Sequence, residues 1–406
     1  MSSKMSKTFI IYYQMKCGSF RIMLSDLDEI FTYKLLPDEV ANKFHMFKGY
    51  EPDDEGICKF MTDFKSWCKE LKKNTVYNIN YSYFYSHHIA VQNIFKRLCK
   101  GRFEGIQEVS EIEGIYMDKC HNGGLTYCKE YSGQCYGYDF NAYYPRTLSS
   151  NIFEIPVRQG EECYTNILKL FKSGTKLKYG MYKIRITSTN PNAKKVFAFS
   201  KDDVYTHYSI KFAREHMKEF NFKFAYYQEE DGFNSYVYDD DDLMKGNDIF
   251  SKWLKTLTDL RALFPKNSLL KHLLSSVWGT LTRSKILNKT YEEIIDENLD
   301  VGIDDDSHYI IQKHVIYSTS EYYVLQNNRE RYYYGIARLK PFLVSYARNR
   351  IAKVAMKDIN SLIRTHTDAC CFSVEQDMSD VKNIFPEDKT TGNLKWTVIN
   401  RKPERL

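Results

Sequence analysis

Apolar and polar residues alternate through Thr8 to Met23 (TFIIYYQMKCGSFRIM), with a break at Cys17-Gly18-Ser19, which predicts two strands joined by a turn. Residues 57–72 change to helical spacing, Val76 to Tyr81 reads as a strand, and Ile89 to Leu98 as another helix. Together they predict an α/β N-terminal domain. Tyr-rich alternation follows Gly123-Gly124 and runs into Asp139-Phe-Asn-Ala-Tyr-Tyr-Pro145. Proline cannot continue a central ladder, so the strand should stop near Asp139 and turn into a helix or loop. Three further runs (KYGMYKIRI, KKVFAFS and FKFAYYQ, between 178 and 236) read as strands. Helical spacing returns over Ile249 to Phe264 and Lys266 to Trp278, with Pro265 between them and Gly279 as the expected stop. A last helix covers Pro341 to Asp358, on the stripe Phe342, Val344, Ala347, Ile351, Val354 and Ala355. It leads to a short strand Ser361 to Ile363, a turn over Thr365-His366-Thr367-Asp368, and a returning strand Ala369 to Val374.

Composition narrows the class. A chain of 406 residues, 43% hydrophobic and 27% charged, supports two or three folding units with substantial cores. Its 19 glycines and 9 prolines are roughly half of average usage, which excludes collagen-like and low-complexity chains. No apolar run approaches the ~20 residues of a membrane helix, and the start lacks a secretory pattern, so a soluble intracellular protein with no membrane partner is expected. The net charge of +6 is compatible with a nucleic-acid partner without pointing to one. Ten cysteines form no disulfide framework. The nearest approach to a metal set, Cys120-His121 with Cys128 and Cys135, lacks a Cys-x-x-Cys pair and reads as packing.

Nucleotidyl transfer needs carboxylates converging on divalent cations, so that attacking and leaving oxygens are both stabilised. Asp139 and Asp368, each at the end of a short strand, could build such a site from distant parts of the chain. Among 52 acidic residues they are distinguished by their surroundings. Asp139-Phe-Asn-Ala-Tyr-Tyr-Pro145 resembles motif A of family-B DNA polymerases (D-x-x-S-L-Y-P). Lys271-His-Leu-Leu-Ser-Ser-Val-Trp-Gly279 resembles their motif B (K-x-x-x-N-S-x-Y-G), and Thr365-His-Thr-Asp-Ala369 their motif C (Y-x-D-T-D-S). His121-Asn-Gly-Gly124 resembles the Y-x-G-G element of the protein-primed branch, and Thr391-Gly-Asn-Leu-Lys-Trp396 a segment that follows motif C there. The five stand in the family's order and span roughly residues 115–400.

The resemblance implies an α+β fold: a palm of antiparallel strands backed by helices, two-helix fingers, and an α/β exonuclease-like N-terminal domain. The implied segments are 1–115 (degenerate exonuclease-like), 116–150 (template-binding linker and motif A), 151–245 (insertion), 246–290 (fingers) and 291–406 (palm with motif C). Asp139 and Asp368 would be catalytic and, with the Phe140 carbonyl, would ligate two Mg²⁺ ions, or Mn²⁺ in their place. Tyr144, Arg261, Lys271 and Ser275 would meet the incoming nucleotide. Gly123, Gly124, Trp278 and Gly279 would lie along the template. Expected partners are template and primer DNA, deoxynucleoside triphosphates and, where priming is by protein, a terminal protein. A viral origin would put the chain in the host cytoplasm or a replication compartment.

The chain also departs from the family. His366 stands at the first aspartate of motif C, and motif B has lost its Asn and exchanged Tyr for Trp. No D-x-E pair occurs in Thr8 to Met23, and Val76 to Phe84 has aromatic groups where a second exonuclease motif needs an aspartate, so proofreading is expected to be absent. The sequence ends at Leu406, before the family's K-x-Y element and thumb would come. A competing reading follows from these departures: a catalytically degenerate homologue that binds DNA or a protein as a replication accessory.

Overall fold

The computed structural model describes residues 10–14, 20–24, 30–33, 45–46, 62, 66, 69, 73, 87–99, 101, 105–120, 123–228, 232–263, 268–303, 306–316, 321–380 and 394–401. The chain divides into two compact units, Met1–Phe103 with Lys252–Thr280, and Glu104–Ser251 with Leu281–Leu406. Helices and antiparallel sheets are mixed throughout.

In the first unit, strands Ile10–Gln14 and Phe20–Leu24 pair antiparallel, as their alternation predicts. Ile30–Tyr33 extends this sheet on one side, and His45–Met46 pairs parallel on the other. The helix His87–Leu98 buries Val91, Ile94, Phe95 and Leu98, a spacing that gives it one apolar face. Phe95 meets Trp253 edge to face at 5.7 Å. Helix Ser268–Leu281 runs through Gly279 rather than stopping there. Gly279 lies on the exposed side while Val277 and Leu281 are fully buried, so the ~1 kcal/mol that a helical glycine costs is outweighed by packing on both sides of it. Of the helix expected over 57–72, Thr62, Ser66 and Lys69 are described and are helical. The rest of it, the strand Val76 to Tyr81 and the segment to Phe84 lie outside the described residues.

The second unit is organised on a five-stranded antiparallel sheet. Its elements are helix α1 (Glu111–Lys119), strands β1 (Thr126–Cys128) and β2 (Gly133–Phe140), helices α2 (Tyr143–Leu148) and α3 (Leu339–Ala355), and strands β3 (Leu362–His366), β4 (Ala369–Phe372) and β5 (Leu394–Arg401). Strand order is β5-β2-β4-β3-β1. β2 stops at Phe140, and Pro145 falls in the first turn of α2, where its missing N–H costs nothing. The turn between β3 and β4 is tighter than the sequence suggests: Thr365 and His366 belong to the ladder, leaving Thr367 and Asp368 as the connection.

One face of this sheet packs on α3, which is buried along most of its circumference, including Phe342, Ile351, Ala352, Val354 and Ala355. Each large apolar side chain so buried contributes about 1.5–3 kcal/mol. Tyr143 stacks on Phe140 at 5.0 Å and donates its hydroxyl to the Ala347 carbonyl at 2.6 Å, which fastens the end of β2 to α3.

The insertion between β2 and α3 carries a sheet centred on strand Gly180–Ser188, with Phe222–Tyr226 paired antiparallel to it. The run KKVFAFS is not a strand. Asn192 caps a helical turn, Ala193–Val196, that buries Ala193 and Val196. The Asn190 side chain accepts the Asn192 N–H at 2.9 Å, a local bond that competes with ladder formation.

Two internal features carry pH and charge consequences. Arg338, fully buried before α3, donates to both Glu113 carboxylate oxygens (2.7 and 2.9 Å) and to the Gln107 and Glu108 carbonyls (2.7 and 3.0 Å). Tyr238 of the insertion donates to the same carboxylate at 2.7 Å. Removing one partner strands a buried charge, so Glu113→Gln and Arg338→Met should each cost about 3–5 kcal/mol. The double variant should cost less than the sum, read as urea midpoints. His207 lies among Tyr179, Tyr208 and Phe342, and its Nδ1 accepts the Gly180 N–H at 3.3 Å. Burial lowers its pKa from 6.5 to about 3, with Lys176 and Lys211 acting in the same sense. The unfolded chain therefore takes up a proton that the native state refuses. The stability contributed is whole above about pH 6.5 and falls by up to about 1.4 kcal/mol per pH unit on acidification toward pH 3. His207→Gln should flatten that part of the urea-midpoint profile.

Candidate active site

The β2–β4 ladder pairs Asp139 with Ala369, and the Phe140 N–H donates to the Asp368 carbonyl at 3.1 Å. Adjacent strands lie about 4.8 Å apart, so the Asp139 and Asp368 backbones are immediate neighbours. Asp139 is exposed between buried Tyr138 and Phe140, and it therefore points to the face of the sheet opposite α3. Asp368 is half-buried, His366 exposed.

The backbone around both acids is tightly held. The Asp368 N–H returns to the His366 carbonyl at 2.7 Å, closing a turn around Thr367, whose φ is +59°. A β-branched residue there carries strain on the order of 1–2 kcal/mol. The Thr367 N–H is held by the Leu125 carbonyl at 3.0 Å, which joins the turn to the Gly123-Gly124 loop. Ala142, within motif A, is also left-handed at φ +53°.

Tyr144 lies beside this pair. Its phenol pKa is raised to about 12 by burial and by the Asp368 charge, against an opposing effect of Arg348. It thus stays protonated through the neutral range, a hydrogen-bonding and packing group rather than a base. Arg348, on α3, is a member of the site that motif comparison did not name. It is buried, its pKa is lowered to about 10 chiefly by desolvation, and its Nη1 donates to the Gly123 carbonyl at 2.7 Å. The sequence carried one signal for it: an arginine directly after Ala347 on the apolar side of an otherwise core-facing helix. Gly124 is exposed to the same constraint. A Cβ there would lie 3.0 Å from Thr367 Oγ1 and 3.2 Å from its Cα.

The structure thus brings together Asp139, Phe140, Tyr144, Asp368, Gly123 and Gly124. Arg261, Lys271, Ser275, Trp278 and Gly279 belong to the other compact unit. There Lys271, Ser275 and Trp278 follow one another at i, i+4 and i+7 on one helix face, Lys271 and Ser275 exposed and Trp278 half-buried. The Ser275 hydroxyl donates back to the Lys271 carbonyl at 3.0 Å. Among the described residues, a Cβ built on Gly279 would meet nothing within 4 Å beyond its own helix backbone and chain neighbours. Arg261 is half-buried near the end of helix Gly246–Leu263. Among the potential metal-set residues, Cys120 and Cys135 are buried thiols, Cys128 is exposed, and burial pushes the Cys120 pKa up to about 12. His121 lies outside the described residues.

No protein-family profile matches the sequence, and no curated protein does. Solved structures do match. Phi29 DNA polymerase complexed with single-stranded DNA superimposes with a TM-score of 0.51 at 13% identity, covering 86% of this chain and 57% of that one. The same polymerase in a post-translocation binary complex with primer-template DNA gives 0.48 at 12% identity, covering 88% and 61%. The fold is similar to that of phi29 DNA polymerase. This chain spans less than two thirds of the length of those polymerases. Among the described residues, no helix of the polymerase-like fold is long and apolar enough to cross a membrane.

The contact between Gly124 and Thr367 yields a prediction. Gly124→Ala should press the Asp368 turn out of place by a few tenths of an ångström, and any nucleotide incorporation at this site should fall roughly tenfold or more. The melting temperature should change little, and steady-state primer extension beside a thermal melt checks both.

Proposed function

We propose that the chain is a template-directed DNA polymerase that adds deoxynucleotides to a 3′-hydroxyl, or to a protein hydroxyl that serves as primer, without proofreading. The observation that carries this reading is the β2–β4 register, which makes Asp139 and Asp368 neighbours at an open sheet face. The likeness of fold to phi29 DNA polymerase supports it.

Two carboxylates with the backbone carbonyl of Phe140 are hard oxygen donors, the set that suits Mg²⁺, with Mn²⁺ as a substitute. Mg²⁺ held there would supply Lewis-acid stabilisation of the attacking and leaving oxygens. Asp139 and Asp368 would hold that charge in place, and the short turn around Thr367 limits the freedom of Asp368. Tyr144, protonated and half-buried, would pack under the sugar of the incoming nucleotide and exclude a 2′-hydroxyl. Lys271 would meet the triphosphate as a flexible point charge, with Arg261 as a second clamp. Ser275 and Trp278 would line the nascent base pair, while Gly279, Gly123 and Gly124 would let the template approach the backbone. Deoxynucleotides, template and primer DNA, and a terminal protein in the protein-primed case, are the partners of this reading.

One observation favours the accessory role instead: His366 is exposed beside Asp368, at the position where motif C carries an acid. Primer extension separates the two. Asp368→Ala and Asp368→Asn should each lower extension by roughly 10³-fold or more while the chain still binds primer-template DNA. A wild-type protein that binds DNA but extends neither a DNA primer nor a protein-primed template with Mg²⁺ or Mn²⁺ would be the accessory.

A further inference from the structure

The open face of the palm sheet carries a second ordered row of side chains. Thr126, His366, Ala369 and Asp139 stand opposite one another across β1, β3, β4 and β2 and form the first row. Two residues further along, Cys128, Arg364, Cys371 and Gly137 form the next. The rows are about 6.7 Å apart. Arg364 is half-buried beyond a ladder irregularity at 362–364, and its ladder neighbour Thr365 is buried against Cys370, whose thiol reaches the Ile351 carbonyl of α3, so pleating directs Arg364 to the open face. Its neighbours in that row across β1, β4 and β2 are small: two cysteines and a glycine. Among the described residues no carboxylate pairs with it.

A guanidinium on the open face, one row from Asp139, has the fork of donors that matches a phosphodiester. We propose that Arg364 holds a backbone phosphate of the nucleic-acid strand whose end reacts at Asp139 and Asp368. The inference rests on the polymerase reading and adds to it a contact that fixes the strand behind its terminus. Phosphate contacts position a strand without reading its sequence, so the contact serves every primer equally. The alternative is an arginine that is merely solvated.

The test reads binding without turnover. The full chain is titrated against a fluorescent primer–template duplex in EDTA, without nucleotides, between roughly 50 and 200 mM salt. R364A and R364Q should bind roughly tenfold more weakly at the low end, and the slope of log affinity against log salt should fall by about 1. R364K, which keeps the charge, should keep the slope. A wild-type slope and affinity in R364A overturn the proposal, as does loss of slope in R364K equal to that in R364A. A lowered slope in R364A together with no extension by the wild type supports the Arg364 contact and removes the polymerase reading alone. A wild-type chain that binds no duplex removes both.

Discussion

The antiparallel ladder between strands 133–140 and 369–372 is the constraint on which the site depends. Asp139 and Asp368 are distant along the chain, and nothing local to either brings them together. The pairing of Asp139 with Ala369, and of the Phe140 N–H with the Asp368 carbonyl, does so through backbone bonds that involve no side chain. The site is therefore as rigid as the sheet that carries it. Because side chains alternate across a strand, the same register sends Tyr138 and Phe140 into the core and Asp139 to the open face.

Helix 339–355 makes that register worth keeping. It fills the space behind the sheet, receives the Tyr143 hydroxyl at Ala347, and sends Arg348 forward to the Gly123 carbonyl. Its approach is fixed by Arg338, which ties Glu113, two backbone carbonyls and, through the shared carboxylate, Tyr238 of the insertion. A buried ion pair contributes little net stability over an apolar replacement, but breaking it on one side is costly. A second polar centre behaves in the same way: Asp118 receives Arg331, Tyr332 and Gln326, and so fastens helix 111–119 to the strand Glu321–Asn327 and the segment after it.

The strain at Thr367 belongs to the same economy of placement. A glycine would take φ +59° freely, whereas a threonine holds it only because the Leu125 and His366 carbonyls bind the turn from both sides. What results is a carboxylate on a short, stiff connection pressed against Gly124. Residues at the loop, at the turn and on the helix thus form one packed group.

Much of this was legible in the sequence. Period-two alternation located strands 10–14, 20–24 and 133–140, Pro145 marked where motif A leaves the sheet, and the apolar stripe from Phe342 to Ala355 marked the central helix. These signals are local, set by side-chain period and by the missing N–H of proline. Three features were not local. KKVFAFS has strand composition, but its start lies in a helical turn that buries Ala193 and Val196, a packing that the run itself does not show. Gly279 failed to end its helix because burial of Val277 and Leu281 outweighs one glycine. Arg348 and Arg364 could not be ranked among 58 basic residues until tertiary structure buried one and gave the other a place on the open face. The sequence by itself determined which residue types were on hand, where chain direction changes, and that two acids sit at strand ends. Only the tertiary structure decided which of them meet, because strand pairing is a long-range choice made by burial of the opposite face.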